Sequence, residues 1–565
     1  MPTREPKQLE AAAARTSEPR RRYVDDPLQA LTALDPHGPP PEIPFERLDT
    51  DALKVVHRLR AHGHQAYLVG GCVRDLLLGL QPKDFDVATS AHPGEIRAIF
   101  RNCRLIGRRF RLAHIYFHGG KVIETATFRA NPHETNGEDG EPPAGDLLIT
   151  ADNVFGTAEE DARRRDFTVN GLFYDVILGR VLDYVGGRED LERRQLRTIG
   201  DPDVRMQEDP VRILRAVRFA AKAGLEIEPG TWGAMVRHKE ELARCAPPRV
   251  LEEIFKLLRS GHSHRCMELL HRMGGLEVLL PPIASFLAQA GPERSAALFE
   301  SLRLLDEVVR SRPLPDDSVL LSTLLVHLSQ HELIKGRQET APAAAAPEAE
   351  HAGEAGEDEG DELEALEEAA TGEPLPAEPP EGETPQVPWS ISASARTVDE
   401  LLAELVRSAR LPRRIAERAR LLLHAQRVLS GARKRRSSPM RFVRQAYFAD
   451  ALLVYELYVL ATGHGAESLA RWRERLVQAV GAESAASTGV PKAAPEAVAG
   501  EVDADAAETT AGRRRRRRGR GRGERSAENG AATAAVDEVV AAAAESLPPE
   551  AERRPPPGPA DLLPF

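Results

Sequence analysis

Two carboxylates stand one residue apart behind a double glycine in the stretch LVGGCVRDLLLGLQPKDFDVAT, residues 68–89. A strand that delivers Gly70 and Gly71 into a helix start lets the backbone approach a ligand closely, and the free N–H groups there favour an anion. Asp84 and Asp86 follow at i, i+2. On a strand that period places both carboxylates on one face. Hard oxygen ligands so placed suit Mg²⁺, which also takes oxygens from substrate phosphates. Two such ions can activate an attacking hydroxyl and steady a leaving pyrophosphate. Taken alone, D-x-D is a weak signal, since most examples are charged turns or edge strands. The combination GG-x-V-R-D-x-x-L-G-x-x-x-x-D-x-D is far more specific.

Further charged residues recur downstream in RRDFTVN (164–170), DYVGGREDL (183–191), EDPVRILRAVRFAAKAG (208–224) and PPRVLEEIFKLL (247–258). Arg74 suits phosphate because its fork donates two hydrogen bonds, although Asp75 can pair with it instead. Arg164 and Arg165 either touch a triphosphate or ribose or line a solvated helix face. Arg212, Arg215 and Arg218 are spaced by three and spread along one broad helix face. Asp209 and Arg212 together offer acceptor and donor groups that can match a base edge; the plainer reading is a salt-bridged surface. Ile213, Leu214, Val217 and Phe219 read as core, and His114, between Ala113 and Ile115, as structural.

In this order the motifs resemble the class II branch of the DNA polymerase β-type nucleotidyltransferases, which holds tRNA CCA-adding enzymes and bacterial poly(A) polymerases. The resemblance covers residues 45–335 closely and 396–480 loosely. It implies Asp84 and Asp86 as ligands of Mg²⁺ and, in the poly(A) polymerase branch, Asp166 as a third catalytic carboxylate. Glu124, on a neighbouring strand, competes for that role. It further implies Gly70, Gly71 and Arg74 at the triphosphate, Arg164 and Arg165 at triphosphate or ribose, and Asp209 with Arg212 at the incoming base. LIGRRFRLAHI (105–115) resembles the segment that marks the bacterial poly(A) polymerases. The implied activity is template-independent addition of AMP from ATP to RNA 3′ ends, of mRNA or tRNA. CCA addition to tRNA from CTP and ATP is the alternative, and an inactive RNA-binding scaffold a third reading. A phosphohydrolase domain marked by a His-Asp dipeptide is not expected, because none of the 17 His precedes an Asp.

The elements that must carry these residues are legible. Asp49 or Thr50 caps a helix over 49–63, followed by strands at 66–70 and 84–89 and helices at 72–79 and 92–100. RLIG, RLAHIYF and VIETATF read as strands, the last two joined by an HGGK turn. Thr157 with Glu160 forms a capping box. Asp209 caps a helix with Pro210 in its first turn, ending at Gly224. Helices are expected at 249–259, 264–273 and 295–311, and again within 396–480. The expected fold is an α/β nucleotidyltransferase palm followed by all-α neck, body and C-terminal helical domains, with a disordered acidic insert and disordered tails. The segments are a leader (1–43), the palm (44–195), neck and body (196–335), an acidic linker (336–395), a C-terminal RNA-binding domain (396–480) and a tail (481–565).

Charge follows these segments. The chain has 565 residues and a formal net charge of −11. Residues 338–395 hold sixteen acids and no Lys or Arg, and 481–565 hold fourteen acids and twelve bases, so the remainder carries +7. A basic body suits an RNA partner, as does RRRRRRGRGRGER (513–525), whose phosphate contacts would be independent of sequence. Four cysteines without a C-x-x-C pair fit a reducing, cytoplasmic setting. There is no apolar run long enough for a membrane span and no signal-like N-terminus.

Overall fold

The computed structural model describes residues 40–107, 112–130, 154–340, 389, 397–431 and 438–487, with backbone alone for 332–340 and 481–487. Most of the expected leader, acidic linker and tail lies outside the described residues, as do positions 108–111 and the arginine run 513–525. Helical backbone continues past the expected boundaries, to Thr340 on one side of the linker and to Ser487 at the tail.

The palm is a mixed sheet of seven strands. Strand β1 (Ala66–Val69) runs antiparallel to β2 (Asp86–Thr89) and to β6 (Leu172–Asp175), and β2 runs parallel to β5 (Val122–Thr127). β3 (Cys103–Ile106) and β4 (Leu112–Tyr116) extend one edge, and β7 (Arg180–Asp183) forms the other. Helices α1 (Thr50–Ala61), α2 (Gly71–Leu77) and α3 (Pro93–Ile99) alternate with the first strands. Asp49, not Thr50, caps α1, accepting from the N–H groups of Asp51 and Ala52. α4 (Ala158–Arg164) begins at the Thr157–Glu160 capping box, with both reciprocal bonds present. Its Ala158 and Ala162 pack with Tyr67, Val69, Ala88, Phe128 and Phe173. These small side chains let the helix lie close to the sheet, and burying apolar area there is the main source of stability.

The neck and body follow. α5 (Gly187–Glu192) leads to α6 (Pro202–Glu208), α7 (Val211–Ala223) and α8 (Pro229–Arg237), with the short parallel pair β8 (Gln195–Leu196) and β9 (Glu226–Ile227) between them. α9 (Pro247–Leu258), α10 (Ser263–Arg272), α11 (Gly275–Leu279), α12 (Pro281–Gln289) and α13 (Pro292–Ser311) complete the run. The structure corrects the start of α7: Pro210 is its cap residue, and Asp209 lies in extended conformation at the end of α6. Gly224 ends α7 in the left-handed conformation, as expected. Gly187 touches the preceding motif so closely that a Cβ there would lie 2.2 Å from the Thr168 carbonyl oxygen.

Contacts divide the chain into two units, residues 1–314 with 379–412, and 315–378 with 413–565. The first unit includes α15 (Val398–Ser408) and buried Trp389, whose indole N–H donates to the Leu279 carbonyl at 3.1 Å. In the second, α14 (Asp317–Thr340) packs with α16 (Arg413–Leu429) and α18 (Phe448–Thr462), while α17 (Pro439–Val443) and α19 (Ala466–Ser487) close over Phe442, Phe448 and Trp472.

Candidate active site

Strand register builds the site. Directly paired residues run Leu182, Phe173, Val69, Asp86, Glu124, His114, Arg104 across all seven strands. Direct partners share a face. One half of this row is apolar and packs under α4; the other half is charged. Asp86 stands at the boundary, half-buried, with exposed Asp84 two residues before it. Asp84 itself precedes the strand, which begins at Asp86 rather than at residue 84. Burial, reinforced by the carboxylates of Glu124 and Asp84 and opposed by Arg165, pushes Asp86 up to about 6. His114 Nε2 lies 3.6 Å from Glu124 Oε1, so the histidine belongs to the charged half of the row. Its sequence neighbours gave no sign of this, because cross-strand register is a long-range property.

The glycine turn lies one strand away. Gly70 has φ 72° and opens α2, and its N–H donates to the Leu172 carbonyl. The Arg165 guanidinium covers this turn: a Cβ on Gly70 would meet Arg165 Nη1 at 2.9 Å. Arg165 is held there by Asp161 at 3.0 Å and by the ring of Phe173, 5.1 Å away. Arg164 also bonds Asp161, through Nε at 3.2 Å. Gly71 lies in the first turn of α2, where a Cβ would be 3.7 Å from Arg74 Nη2.

Arg74, expected at the triphosphate, makes its bonds within the protein. It is 2% exposed, with Nε and Nη2 donating to Asp75 Oδ1 and Nη1 to Asn170 Oδ1. A guanidinium committed in this way is a scaffold element. The Asp75 pairing, the alternative that RD offers in sequence, is present in the fold.

Asp166 is buried and held well below the usual carboxylate range, at about 2. Desolvation, the largest influence, acts to raise it, and is outweighed by Arg215, Asn170 and the Phe167 N–H together. Arg215 Nε donates to Oδ2 at 2.8 Å, and Asn170 Nδ2 and Phe167 N donate to Oδ1. The carboxylates whose charge raises Asp86 are those of Glu124 and Asp84. Among the described residues no group of three or more His, Cys, Asp or Glu is arranged to hold a metal ion. Asp84 and Asp86 are thus a two-carboxylate set whose remaining ligands would come from elsewhere.

The basic face of α7 is neutralised along its length. Arg212 pairs with Glu208 at 2.9 Å, Arg215 with Asp166, Arg218 with Glu253 at 3.4 Å, and Lys222 with Asp75 at 3.2 Å. Each acid comes from a different element, so the stripe stitches the helix to α6, the 165–167 loop, α9 and α2. Asp209 and Arg212 meet through the backbone, the Arg212 N–H donating to the Asp209 carbonyl at 3.0 Å, but their side chains take different partners. Arg212 is buried and donates to Glu208 and to the Arg205 carbonyl, while Asp209 is gripped by exposed Arg249 at 2.9 Å. Arg249 was not singled out in the sequence. Glu208, four residues before Arg212, could have been found from the helical spacing.

A cavity of about 860 Å³ opens beside the loop before α5, lined among others by Thr168, Tyr184, Arg197, Arg205 and Glu228; neither Gly70 nor Asp86 borders it.

Residues 66–197 match the family described as the poly A polymerase head domain. Residues 224–287, after that head domain, match a family described as "Probable RNA and SrmB- binding site of polymerase A". Poly(A) polymerase I of Escherichia coli O6:H1 is 47% identical over 257 residues, 45% of this chain and 55% of that protein. A CCA-adding enzyme of Bacillus pumilus is 38% identical over 221 residues, 39% of this chain and 52% of that protein. The chain thus spans about half the length of the curated relatives it matches. A crystal structure of the Bacillus stearothermophilus CCA-adding enzyme in complex with CTP aligns with a TM-score of 0.47 at 24% identity, over 77% of this chain and 82% of that one.

Proposed function

We propose that the chain transfers AMP from ATP to RNA 3′ ends without a template. The observation that carries this reading is the Asp84–Asp86 pair beside the Gly70 turn, in a head domain of the poly A polymerase family. The carboxylates fit a divalent cation: Asp86 is pushed up to about 6 by burial and by neighbouring negative charge, a strain that a bound cation would relieve. Asp84 and Asp86 would hold Mg²⁺, which when bound lowers the pKa of the attacking hydroxyl and neutralises developing charge.

The protein's own residues position the reactants. The turn at Gly70 and Gly71 admits the triphosphate backbone-close, and Arg165, standing over that turn, offers donors to phosphate oxygens. The RNA 3′-hydroxyl attacks the α-phosphate in line, the new phosphodiester forms, and pyrophosphate leaves with the cleaved bond's electrons. Positioning and electrostatic complementarity dominate such transfers. Asp166 fixes Arg215 and so the palm-facing side of α7, while Asp209 marks the end of the helix where the base would be read. RNA would lie on the helical units, with the Arg-rich 513–525 adding sequence-independent affinity.

Among the described residues no helix is long and apolar enough to cross a membrane. A cytoplasmic setting, where RNA and ATP meet, completes the reading. CCA addition is the second reading, favoured by the CCA-adding relative at 38% identity. Supplying each labelled NTP in turn with Mg²⁺, on oligo(A) and on tRNA lacking CCA, separates the two. Long tails from ATP alone on oligo(A) are expected; addition that stops after CCA on tRNA would overturn adenylation as the activity.

A further inference from the structure

Asn170 is the uncharged link in a closed chain of polar contacts that begins and ends on α7. Arg215 of α7 bonds Asp166; Asp166 accepts from Asn170 Nδ2 at 3.1 Å; Asn170 Oδ1 accepts from Arg74 Nη1 at 2.6 Å. Arg74 bonds Asp75, and Asp75 returns to α7 through Lys222 at 3.2 Å. Phe219 lies beside this circuit, with the guanidinium carbons of Arg74, Arg215 and Arg218 at 5.2, 5.4 and 4.5 Å from its ring centroid. Arg215 and Lys222 are two helical turns apart, so they share a face of α7.

The amide has one sensible orientation. Its oxygen faces a guanidinium and its nitrogen a carboxylate, and the reverse would set donor against donor and acceptor against acceptor. Asn170 is 6% exposed, so water cannot take over either bond. Its backbone carbonyl also accepts from Arg165 Nη1 at 3.4 Å, and lies 3.7 Å from where a Cβ on Gly70 would stand. One residue therefore touches the glycine-turn helix through Arg74, the arginine over the turn, and the carboxylate that anchors α7.

We propose that Asn170 is a positioning residue for nucleotide selection: it fixes the distance between the glycine turn, where the triphosphate sits, and α7, whose first turn faces the base. This rests on the nucleotidyl-transfer reading given above. A base is read only if its triphosphate is anchored at a set distance, and a misplacement of about 1 Å can cost on the order of a hundredfold in rate. Loosening Asn170 should therefore blunt discrimination among nucleotides and weaken ATP binding, while leaving RNA binding alone.

The test is steady-state kinetics on the full chain with ATP or CTP and oligo(A), alongside thermal unfolding of every variant. Asn170→Asp sets two carboxylates against each other. It should raise KM for ATP about tenfold and lower the ATP-over-CTP ratio of kcat/KM about tenfold, with KM for oligo(A) unchanged. Asn170→Ser, too short to reach either partner, should act in the same direction and serves if the first variant does not fold. The exchange Asp166→Asn with Asn170→Asp restores an acceptor facing Arg74 and an amide–carboxylate bond between the two positions, and should recover part of both losses. A folded Asn170→Asp or Asn170→Ser with wild-type KM for ATP and wild-type selectivity overturns the proposal. So does an exchange no better than the single variant, since the Asp166 charge alone would then be what matters. Wild type that incorporates no nucleotide would instead sink the transfer reading itself.

Discussion

Asp86 and Glu124 are direct partners on adjacent parallel strands, and the second carboxylate helps to keep a proton on the first. The fold has placed negative charge beside negative charge at the rim of an apolar sheet face, an arrangement that costs stability unless a cation joins it.

The pH dependence follows with a definite sign. Asp86 titrates near 6 when folded and near 3.8 when unfolded. Between those values the folded state keeps a proton that the unfolded state has lost, so stability falls as pH rises through the window and stays lower above it. In the absence of divalent metal at pH 7.5, Asp86→Asn should stabilise the protein by about 2 kcal/mol. Urea denaturation measures this, and added Mg²⁺ should stabilise wild type but not the variant. A variant less stable than metal-free wild type would contradict the account.

Asp166 behaves oppositely. Its folded value near 2 lies below 3.8, so its contribution is present above 3.8 and is lost as pH falls towards 2. Asp166→Asn should flatten the pH dependence of stability in that acid window by about 2 kcal/mol. An unchanged slope between pH 4 and pH 2, followed by fluorescence during denaturation, would show that the fold does not hold Asp166 below its ordinary range.

At Gly70 a backbone effect and a ligand effect separate. Gly70→Ala places a side chain in a conformation that costs about 1–3 kcal/mol and pushes Arg165 off the turn. Gly63→Ala, also at positive φ but with nothing within 4 Å of its Cβ, carries the backbone cost alone. Both should lower the melting temperature, and only Gly70→Ala should raise KM for ATP. Equal effects on KM would remove Arg165 from the phosphate site.

Much of the palm was legible. The strand expected at 66–70 and found at Ala66–Val69, the Thr157–Glu160 capping box and the Gly224 stop are set by local chemistry. β6 and β7 were missed, because LFYD and RVLD are short and carry no alternation. The site was legible as residue types but not as partners. That Arg74 is spent on Asn170 depends on a contact across 96 positions, and Arg249 reaches Asp209 across 40. Burial decides which arginines serve the scaffold and which face a ligand, and burial is set by tertiary packing.

The two arginines near Asp209 test that distinction. Arg212 is buried against Glu208, so Arg212→Ala should cost about 2–4 kcal/mol by leaving buried charge poorly compensated. Arg249 is exposed, so Arg249→Ala should cost less than about 1 kcal/mol. Chemical denaturation ranks them, and equal losses would contradict the buried and exposed assignments.

The central claim is that Asp84 and Asp86 serve nucleotidyl transfer to RNA. Its most direct test is the extension of 3′-labelled-free oligo(A), traced through a 5′ label, by wild type and Asp86→Asn side by side with ATP and Mg²⁺. Wild type should produce a lengthening ladder while a folded Asp86→Asn leaves the primer unextended. A variant that extends the primer as fast as wild type would contradict the account.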